Sequence, residues 1–341
     1  MKRSPATTLP LAKKMGRRGL AFFSLLSAVA AHAADIDPGL PLFQPTAVAT
    51  PKKAGYLTPD GAIAIVGYND MRDMLEALVA LYTKAHPGAR FSLELKSTRS
   101  APIALAAGTS LFAPMGARFT PPQLAGYRAA TGADPLQIRV AHDSLDPRAL
   151  SGPLAIFVNI DNPLPSLTVD QIRQTFTGQA RRWGDLGLRG QWAERPIHLY
   201  GVEADRPLAL ELREAAFPGR AFSNAMAGFR SSAQVVEKVS ADPAALGFAA
   251  AIRTQPSVRA LAIATRAGET PVELSAASVS AGRYPLDRFL LIYVRPPMDP
   301  VAREFLRLVL SREGQQAIAD GPLGYLPLTA AEAAVERAKL Q

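Results

Sequence analysis

The sequence predicts an α/β fold with mostly parallel sheets. Short apolar runs bounded by turn residues alternate with segments of helical spacing along most of the 341 residues. Hydrophobic residues make up 48% of the chain and charged residues 20%, which is typical of a globular protein with a substantial core. No interior run reads as a flexible linker, so we expect two lobes that share one continuous fold rather than separately tethered domains.

The opening of the fold is predicted to be strand, helix, strand. The apolar run 62–67 reads as a buried strand, and apolar side chains recur at helical spacing over 73–85. His86-Pro87-Gly88 ends that helix, because proline cannot continue it. The alternation over 91–95 then predicts a second strand.

The middle and the end of the chain repeat this alternation. A buried strand is predicted over 154–158, and Thr168 with Gln171 forms a capping box that opens a helix. The same periodicities and caps predict a strand over 196–201, a helix over 208–216, a helix capped by Ser231 that runs to 239, a strand over 247–249, a strand over 289–294 and a helix from Asp299-Pro300 through 310.

Residues 1–33 carry the three parts of an export signal. A basic segment without acidic residues precedes the apolar stretch 20–31, and Ala31-His32-Ala33 supplies a small-x-small cleavage site. The apolar stretch is shorter than the about 20 residues that a helix needs to cross a bilayer. We therefore predict a cleaved signal peptide and a periplasmic mature protein that starts at Ala34. Arg17-Arg18 also fits the twin-arginine route, although the general secretory route is favoured.

Removal of the signal peptide changes the charge of the protein. Residues 1–18 hold six of the basic residues behind the formal charge of +9, which leaves +3 for the mature chain. The sequence pI of 9.9 therefore does not indicate a nucleic-acid partner. Cysteine is absent, which excludes disulfides, thiolate nucleophiles and cysteine metal ligands.

Two terminal segments stand apart from the predicted fold. Residues 34–56 are rich in proline and alanine without helical or strand periodicity, so we predict a flexible N-terminal arm. Residues 331–341 form a C-terminal tail, and the pattern from 330 onward predicts a helix with a charged face.

A set of short sequence motifs along residues 60–328 has a distinctive order and spacing. In chain order they are Ile156-Phe157-Val158-Asn159, Asp161-Asn162-Pro163-Leu164, Phe176-Thr177-Gly178, Trp183-Gly184-Asp185-Leu186-Gly187, Pro196-Ile197-His198-Leu199-Tyr200-Gly201, Asp242-Pro243-Ala244-Ala245-Leu246-Gly247-Phe248, Tyr284-Pro285-Leu286-Asp287-Arg288 and Gly324-Tyr325-Leu326-Pro327-Leu328. In the order and spacing of these motifs, the chain resembles the phosphate-binding proteins of bacterial ABC importers.

The resemblance implies a type II periplasmic-binding-protein fold, in which two α/β lobes are joined by two crossover strands. It places residues 57–150 and 270–330 in lobe 1 and residues 151–268 in lobe 2. The ligand would lie in the cleft between the lobes. Such a cleft suits anions, because helix N-termini present unpaired N–H groups and a positive dipole end.

The ligand loops of this chain depart from the family pattern. Gly67-Tyr68-Asn69-Asp70 stands where the family has Gly-Ser-x-Thr, and Ser97-Thr98-Arg99-Ser100 stands where it has Gly-Thr-Gly-Ser. Arg206-Pro207-Leu208 replaces Ser-Gly-Thr, which removes two hydroxyls and one N–H. The ligand-binding candidates are Tyr68, Asn69, Asp70, Thr98, Arg99, Ser100, Asp143 and Arg206.

These substitutions bear on the identity of the ligand. A buried Asp70 that faced a divalent anion would repel it at a cost of a few kcal/mol, so we expect a small anion but discrimination against inorganic phosphate. Arg99 and Arg206 could clamp a carboxylate in bidentate fashion, or both could be solvated loop arginines. Asp143 matches the place of a cleft carboxylate in similar proteins, and a role in a turn or helix cap is the alternative.

The sequence predicts that the protein binds a ligand without acting as an enzyme, and that it uses no metal ion or cofactor. The histidines of the mature chain are far apart in sequence, and there is no nucleophile elbow, phosphate-binding glycine loop or dinucleotide fingerprint. The predicted partners are a small anion and an ABC permease, with the protein a monomer that meets the membrane only through that permease. The alternative is a sensor or docking protein on the same fold with no transport role.

Overall fold

The computed structural model describes residues 36–49, 51 and 53–341. The predicted signal peptide, residues 1–33, lies outside the described residues. The strands are β1 (Ile63–Gly67), β2 (Phe91–Leu95), β3 (Ala113–Met115), β4 (Leu136–His142), β5 (Leu154–Asn159), β6 (Ser166–Thr168), β7 (His198–Val202), β8 (Ala227–Phe229), β9 (Ala245–Ala250), β10 (Val258–Ala260), β11 (Ala262–Ala264) and β12 (Phe289–Val294).

Helices alternate with these strands along the chain, as the sequence predicts. They are α1 (Arg72–Ala85), α2 (Ser100–Ala107), α3 (Pro121–Thr131), α4 (Val169–Phe176), α5 (Pro207–Ala216), α6 (Ser232–Ala241), α7 (Ala276–Ser280), α8 (Pro300–Val309), α9 (Arg312–Ala319) and α10 (Ala330–Ala338). None of them, across the ranges the structure describes, has the length and apolar character that crossing a bilayer requires.

The described chain forms two α/β lobes, each with its own hydrophobic core. In the first lobe, β1 pairs with β2, and β12 lies between β3 and β4. The face of α1 that carries Met74, Leu78 and Tyr82 packs into this core, as its helical spacing predicts. In the second lobe a five-stranded sheet in the order β10-β5-β9-β7-β8 packs against α4, α5 and α6.

The strand pairs are divided evenly between parallel and antiparallel, so the prediction of mostly parallel sheets is wrong. The pairs β1–β2, β6–β11, β7–β8 and β7–β9 are parallel, but as many pairs within the described residues are antiparallel: β5–β9, β5–β10, β3–β12 and β4–β12. The antiparallel pairs arise because β5 and β12 follow the segments in which the chain crosses between the lobes, and each enters its sheet against the direction of its neighbours.

The chain crosses between the lobes twice, and the two crossing segments hydrogen-bond to each other. The N–H of Asp143 donates to the carbonyl of Arg288 (2.9 Å), and the N–H of Leu154 donates to the carbonyl of Leu286 (3.1 Å). Val279 and Tyr284 belong to the core of the second lobe. The return to the first lobe therefore falls near residue 287, and the expected boundary at 270 is too early.

The described part of the N-terminal arm is packed against the first lobe, which differs from the flexible arm that the sequence predicts. Leu40 is buried in the core of that lobe. The N–H and the hydroxyl of Thr46 both donate to Glu304 at 2.7 Å, and the N–H of Phe43 donates to Glu313 at 2.8 Å. The carboxylates that hold the arm come from α8 and α9, more than 250 residues along the chain.

We expect the arm to contribute substantially to stability. A mature chain that begins at Lys53 leaves Glu304 buried without its Thr46 partners and exposes the surface under Leu40, so unfolding should become easier by about 3 kcal/mol or more. Urea denaturation against the chain that begins at Ala34 measures the difference. Thr46→Val, which removes one hydroxyl bond, should cost about 1 kcal/mol. Equal midpoints for the two chain lengths would contradict the structural role of the arm.

Candidate anion-binding cleft

A cavity of about 260 Å³ lies between the two lobes. In the first lobe its wall includes Tyr68 and Thr98, which follow the parallel strands β1 and β2. In the second lobe its wall includes Val202 and Ala250, the last residues of the parallel strands β7 and β9. The cavity is thus at the carboxyl ends of strands in both lobes, where α/β proteins commonly bind ligands.

Two helices of the second lobe begin at this cavity. Arg206, Pro207 and Leu208 at the start of α5 line it, as do Ser231 and Ser232 at the start of α6. Both helices are ten residues long, so each presents the unpaired N–H groups and the positive end of a helix dipole. Pro207 removes one of these N–H groups from α5.

Two arginines add positive charge at the helix starts. The Arg206 side chain is 43% exposed and its Nε donates to Glu203 at 3.0 Å. Arg230 is exposed and has no hydrogen-bond or ion-pair partner among the described residues. The residues that line the cavity include no aspartate or glutamate. The lining therefore carries arginines and no carboxylate of its own, and it has hydrogen-bond donors on both walls.

Tyr68 supplies a phenol to the first-lobe wall. Its ring lies against the backbone of Gly116, where an added Cβ would come within 2.3 Å of the ring, so only glycine fits at that position. Burial raises the pKa of Tyr68 far above its ordinary value, so the phenol stays protonated and can donate to an anion.

The rear of the cavity is formed by a buried ion pair that joins the two crossing segments. Asp143 follows β4 and Arg288 precedes β12, and the Nη1 of Arg288 lies 3.2 Å from the Oδ2 of Asp143. The Ser151 hydroxyl donates to the same Oδ2 at 2.8 Å. Arg288 also donates to the carbonyls of Gly152 and Gly116, each at 2.9 Å. Ser151 and Arg288 line the cavity, and Asp143 lies behind them.

A second charge cluster lies beside this pair in the crossing segments. The fully buried His142 places Nδ1 2.5 Å from Asp287 and Nε2 3.1 Å from Glu332 of α10. Burial alone would lower the pKa of His142, but the hydrogen bonds to the two carboxylates outweigh it and raise the pKa to about 9. His142 is therefore an imidazolium at neutral pH, and it ties the C-terminal helix to both crossing segments.

This arrangement predicts a loss of stability at alkaline pH. Because the folded protein holds the His142 proton more tightly than the unfolded chain, its contribution is complete below about pH 6.5 and is lost as the pH rises through about 9. The free energy of unfolding should fall by about 3 kcal/mol across that window. Urea denaturation at a series of pH values measures it, and His142→Gln should remove the slope. If the free energy of unfolding of the wild type did not change between pH 6.5 and 9, His142 could not be the charged imidazolium described here.

The structure brings some of the sequence-predicted candidates to the cavity and places the others elsewhere. Tyr68, Thr98 and Arg206 line it. Asp70 does not, because its carboxylate accepts hydrogen bonds from the Leu150 N–H (2.9 Å) and from the Tyr325 hydroxyl. The expected repulsion between Asp70 and a bound anion is therefore not supported. Asn69, Arg99, Ser100 and Asp143 also lie outside the cavity lining.

The predicted clamp of Arg99 with Arg206 is replaced by a different set. Arg99 is exposed, and only Arg206 of the two lines the cavity. Arg230, Ser151 and Arg288 were not predicted as site residues. Ser231 could have been found, because an N-cap serine preceded by an arginine at a predicted helix start is a recognisable anion-binding signal.

The largest groove of the cavities described on the protein is less suited to an anion than this cleft. A larger groove of about 850 Å³ lies between α1 and α9 on the first lobe, but acidic Asp73, Glu313 and Asp320 accompany Lys84 and Arg312 there. Within the described residues there is no cluster of histidine and carboxylate side chains that could hold a metal ion. Two α/β lobes, a double crossing and a donor-rich cleft define a two-lobed solute-binding protein.

Comparisons with known proteins agree with that class. Residues 45–313 match the family model described as a PBP superfamily domain. The chain is 30% identical over 323 residues to the phosphate-binding protein PstS of Pseudomonas aeruginosa, covering 91% of this chain and 94% of that protein. It is 29% identical over 181 residues to PstS of Bacillus subtilis, covering 52% of this chain and 55% of that protein.

Solved structures show the same fold. An ABC-type phosphate transport receptor from Vibrio cholerae superimposes with a TM-score of 0.52 at 19% identity, over 77% of this chain and 99% of the receptor. PstS from Borrelia burgdorferi gives a TM-score of 0.53 at 13% identity, over 79% of this chain and 99% of that protein. The chain belongs to the PBP superfamily, and it is a solute-binding protein rather than an enzyme.

Proposed function

We propose that this protein captures a small oxyanion of the phosphate class in its interlobe cleft and delivers it to the permease of an ABC importer. The observation that carries the proposal is the convergence of two helix starts, Arg206 and Arg230 on one cavity whose lining has no carboxylate. A buried anion needs this many donors, because its lost hydration must be replaced by hydrogen bonds and opposite charge.

The hydroxyl groups of the cavity support an inorganic oxyanion. Arg206-Pro207-Leu208 lacks two hydroxyls of the family pattern, but the hydroxyl-bearing Ser151, Ser231 and Ser232 line the same cavity. Asp70, the expected source of repulsion, is held by Leu150 and Tyr325. The proposed ligand class therefore includes phosphate. This differs from the expectation, drawn from the sequence, that the cleft discriminates against phosphate. The relative from Pseudomonas aeruginosa, whose name gives phosphate as its ligand, is similar over most of this chain.

The proposed location and partner follow from the export signal and the family. A cleaved signal peptide over 1–33 would release the mature protein into the periplasm. Lobe closure around the anion would bury it and present one face of both lobes to a permease. We propose that the protein works as a monomer, since one chain contributes both walls of the cleft.

Isothermal titration calorimetry on the ligand-stripped mature protein tests the proposal. Phosphate, sulfate, methylphosphonate and acetate should be titrated at one ionic strength, because screening weakens every ionic contact. At least one tetrahedral oxyanion should bind with a Kd of about 1 μM or tighter, and acetate should bind more weakly. Absence of binding across the panel would favour the sensor or docking alternative.

A further inference from the structure

Asp143 is a buried carboxylate that shares its two partners with the cleft. Its side chain is fully buried, and Oδ2 holds both the Ser151 hydroxyl (2.8 Å) and the Nη1 of Arg288 (3.2 Å). Those same two residues line the cavity, whereas Asp143 does not. Its other oxygen, Oδ1, is buried without a hydrogen-bond partner among the described residues, and so is the Nε of Arg288. Two buried polar atoms of the pair therefore have no partner among the described residues.

We propose that Asp143 is a positioning residue that competes with the bound anion for Ser151 and Arg288, so that uptake of one proton by Asp143 strengthens anion binding. The inference rests on the proposed function, because it requires an anion in the cleft. It assigns Asp143 no contact with the ligand.

The competition follows from charge and from the hydroxyl proton. When Asp143 is ionised, it accepts the single proton of Ser151 and neutralises Arg288. The rear wall then gives the anion neither a hydroxyl donor nor a net positive charge. When Asp143 is protonated, its own hydroxyl can donate to the Ser151 oxygen. The Ser151 proton then leaves Asp143 and can turn toward an anion in the cavity, with the Gly116 carbonyl at 3.2 Å as its other acceptor, and Arg288 faces the anion with its full charge.

The surroundings of Asp143 make protonation accessible near neutral pH. Burial raises the pKa of Asp143 to about 6, against the opposing effects of Arg288 and the Ser151 hydrogen bond. Two nearby carboxylates, Asp287 of the second crossing segment and Glu211 of α5, raise it further. An anion in the cavity would act in the same direction as those carboxylates. The remaining titratable groups around Asp143 are Tyr68, Tyr325 and the adjacent imidazolium of His142.

The test compares the pH dependence of anion binding in three proteins. Phosphate and sulfate are titrated by calorimetry from pH 5 to pH 8 into the wild type, Asp143→Asn and Asp146→Asn. Sulfate is included because it does not titrate in this range. Asp146 is the matched control: it lies in the same crossing segment, pairs with Arg148 outside the cavity, and its pKa is lowered to about 2 by that partner.

Between pH 5 and pH 8, the anion affinity of the wild type and of Asp146→Asn should fall. The fall should exceed any fall shown by Asp143→Asn by about tenfold or more. At pH 8, Asp143→Asn should bind about tenfold more tightly than the wild type. For Asp143→Asn, the phosphate affinity should follow only the titration of phosphate itself, and the sulfate affinity should not change with pH. Identical pH profiles in all three proteins, or weaker binding by Asp143→Asn at pH 8, would overturn the proposal.

A second measurement covers the case in which Asp143→Asn does not fold. Anion binding to the wild type near pH 6 should be accompanied by net uptake of a fraction of a proton, read from calorimetry in buffers of different ionisation enthalpy. Binding of sulfate without proton uptake would contradict the role of Asp143. If neither anion binds wild type or Asp146→Asn at any pH, the proposed function fails, and this inference fails with it. Binding with the wrong pH profile removes this inference alone.

Discussion

Arg288→Met is expected to lower the free energy of unfolding by about 3 to 5 kcal/mol. The guanidinium of Arg288 is buried between the crossing segments, where it pairs with Asp143 and donates to the carbonyls of Gly116 and Gly152. Methionine keeps most of the volume but leaves the carboxylate of Asp143 buried without a counter-charge. Urea denaturation at pH 7.5 measures the loss.

The control for this variant removes the carboxylate as well. In the double variant Asp143→Asn with Arg288→Met no charge is left buried, so part of the lost stability should return. The single variant should also recover stability as the pH falls, because a neutral Asp143 needs no partner. A single variant as stable as wild type, or a double variant less stable than the single one, would show that the pair does not hold the crossing segments together.

Replacing both Arg206 and Arg230 by glutamine should weaken oxyanion binding by about 3 to 6 kcal/mol, or two to four powers of ten, since each charged hydrogen bond contributes about 1.5 to 3 kcal/mol. Both side chains are at helix starts on the cavity wall, Arg230 is exposed and the Arg206 side chain is 43% exposed, so thermal stability should change little. Calorimetry with the tightest-binding member of the oxyanion panel measures the loss.

A matched pair of arginines in the same lobe controls for net charge. Arg220 and Arg266 are exposed and lie outside the cavity lining, so the double change Arg220→Gln with Arg266→Gln removes the same charge from the surface. Its affinity should stay within about threefold of wild type at physiological salt, where distant charges are screened. Equal losses in both double variants would mean that the long-range field, and not the cleft, sets the affinity.

Local sequence signals identified most of the secondary structure. The strand over 62–67, the face of α1 and the capping box of Thr168 with Gln171 depend on neighbours within a few residues, and all three are confirmed. The direction of strand pairing was not predictable in this way. β5 and β12 look like any buried apolar strand in sequence, and their antiparallel pairing depends on where the chain crosses between lobes.

The parts of the site that the sequence missed depend on distant partners. Asp143 and Arg288 are 145 positions apart, and neither residue alone indicates that it is buried against the other. Asp70 looked like a cleft carboxylate because its partner, Tyr325, lies 255 residues away. The arm looked flexible for the same reason, since Glu304 binds it from α8. In each case a local pattern shows the residue type but not the group that satisfies it.

A crystal structure of the mature protein grown with phosphate would show whether the interlobe cleft holds the anion. We expect one phosphate between the lobes, within hydrogen-bond distance of Arg206, Arg230 and the hydroxyls of Ser231 and Ser232, with the lobes closed over it. Phosphate bound elsewhere on the protein, or a cleft that stays open and solvent-filled at saturating phosphate, would contradict it.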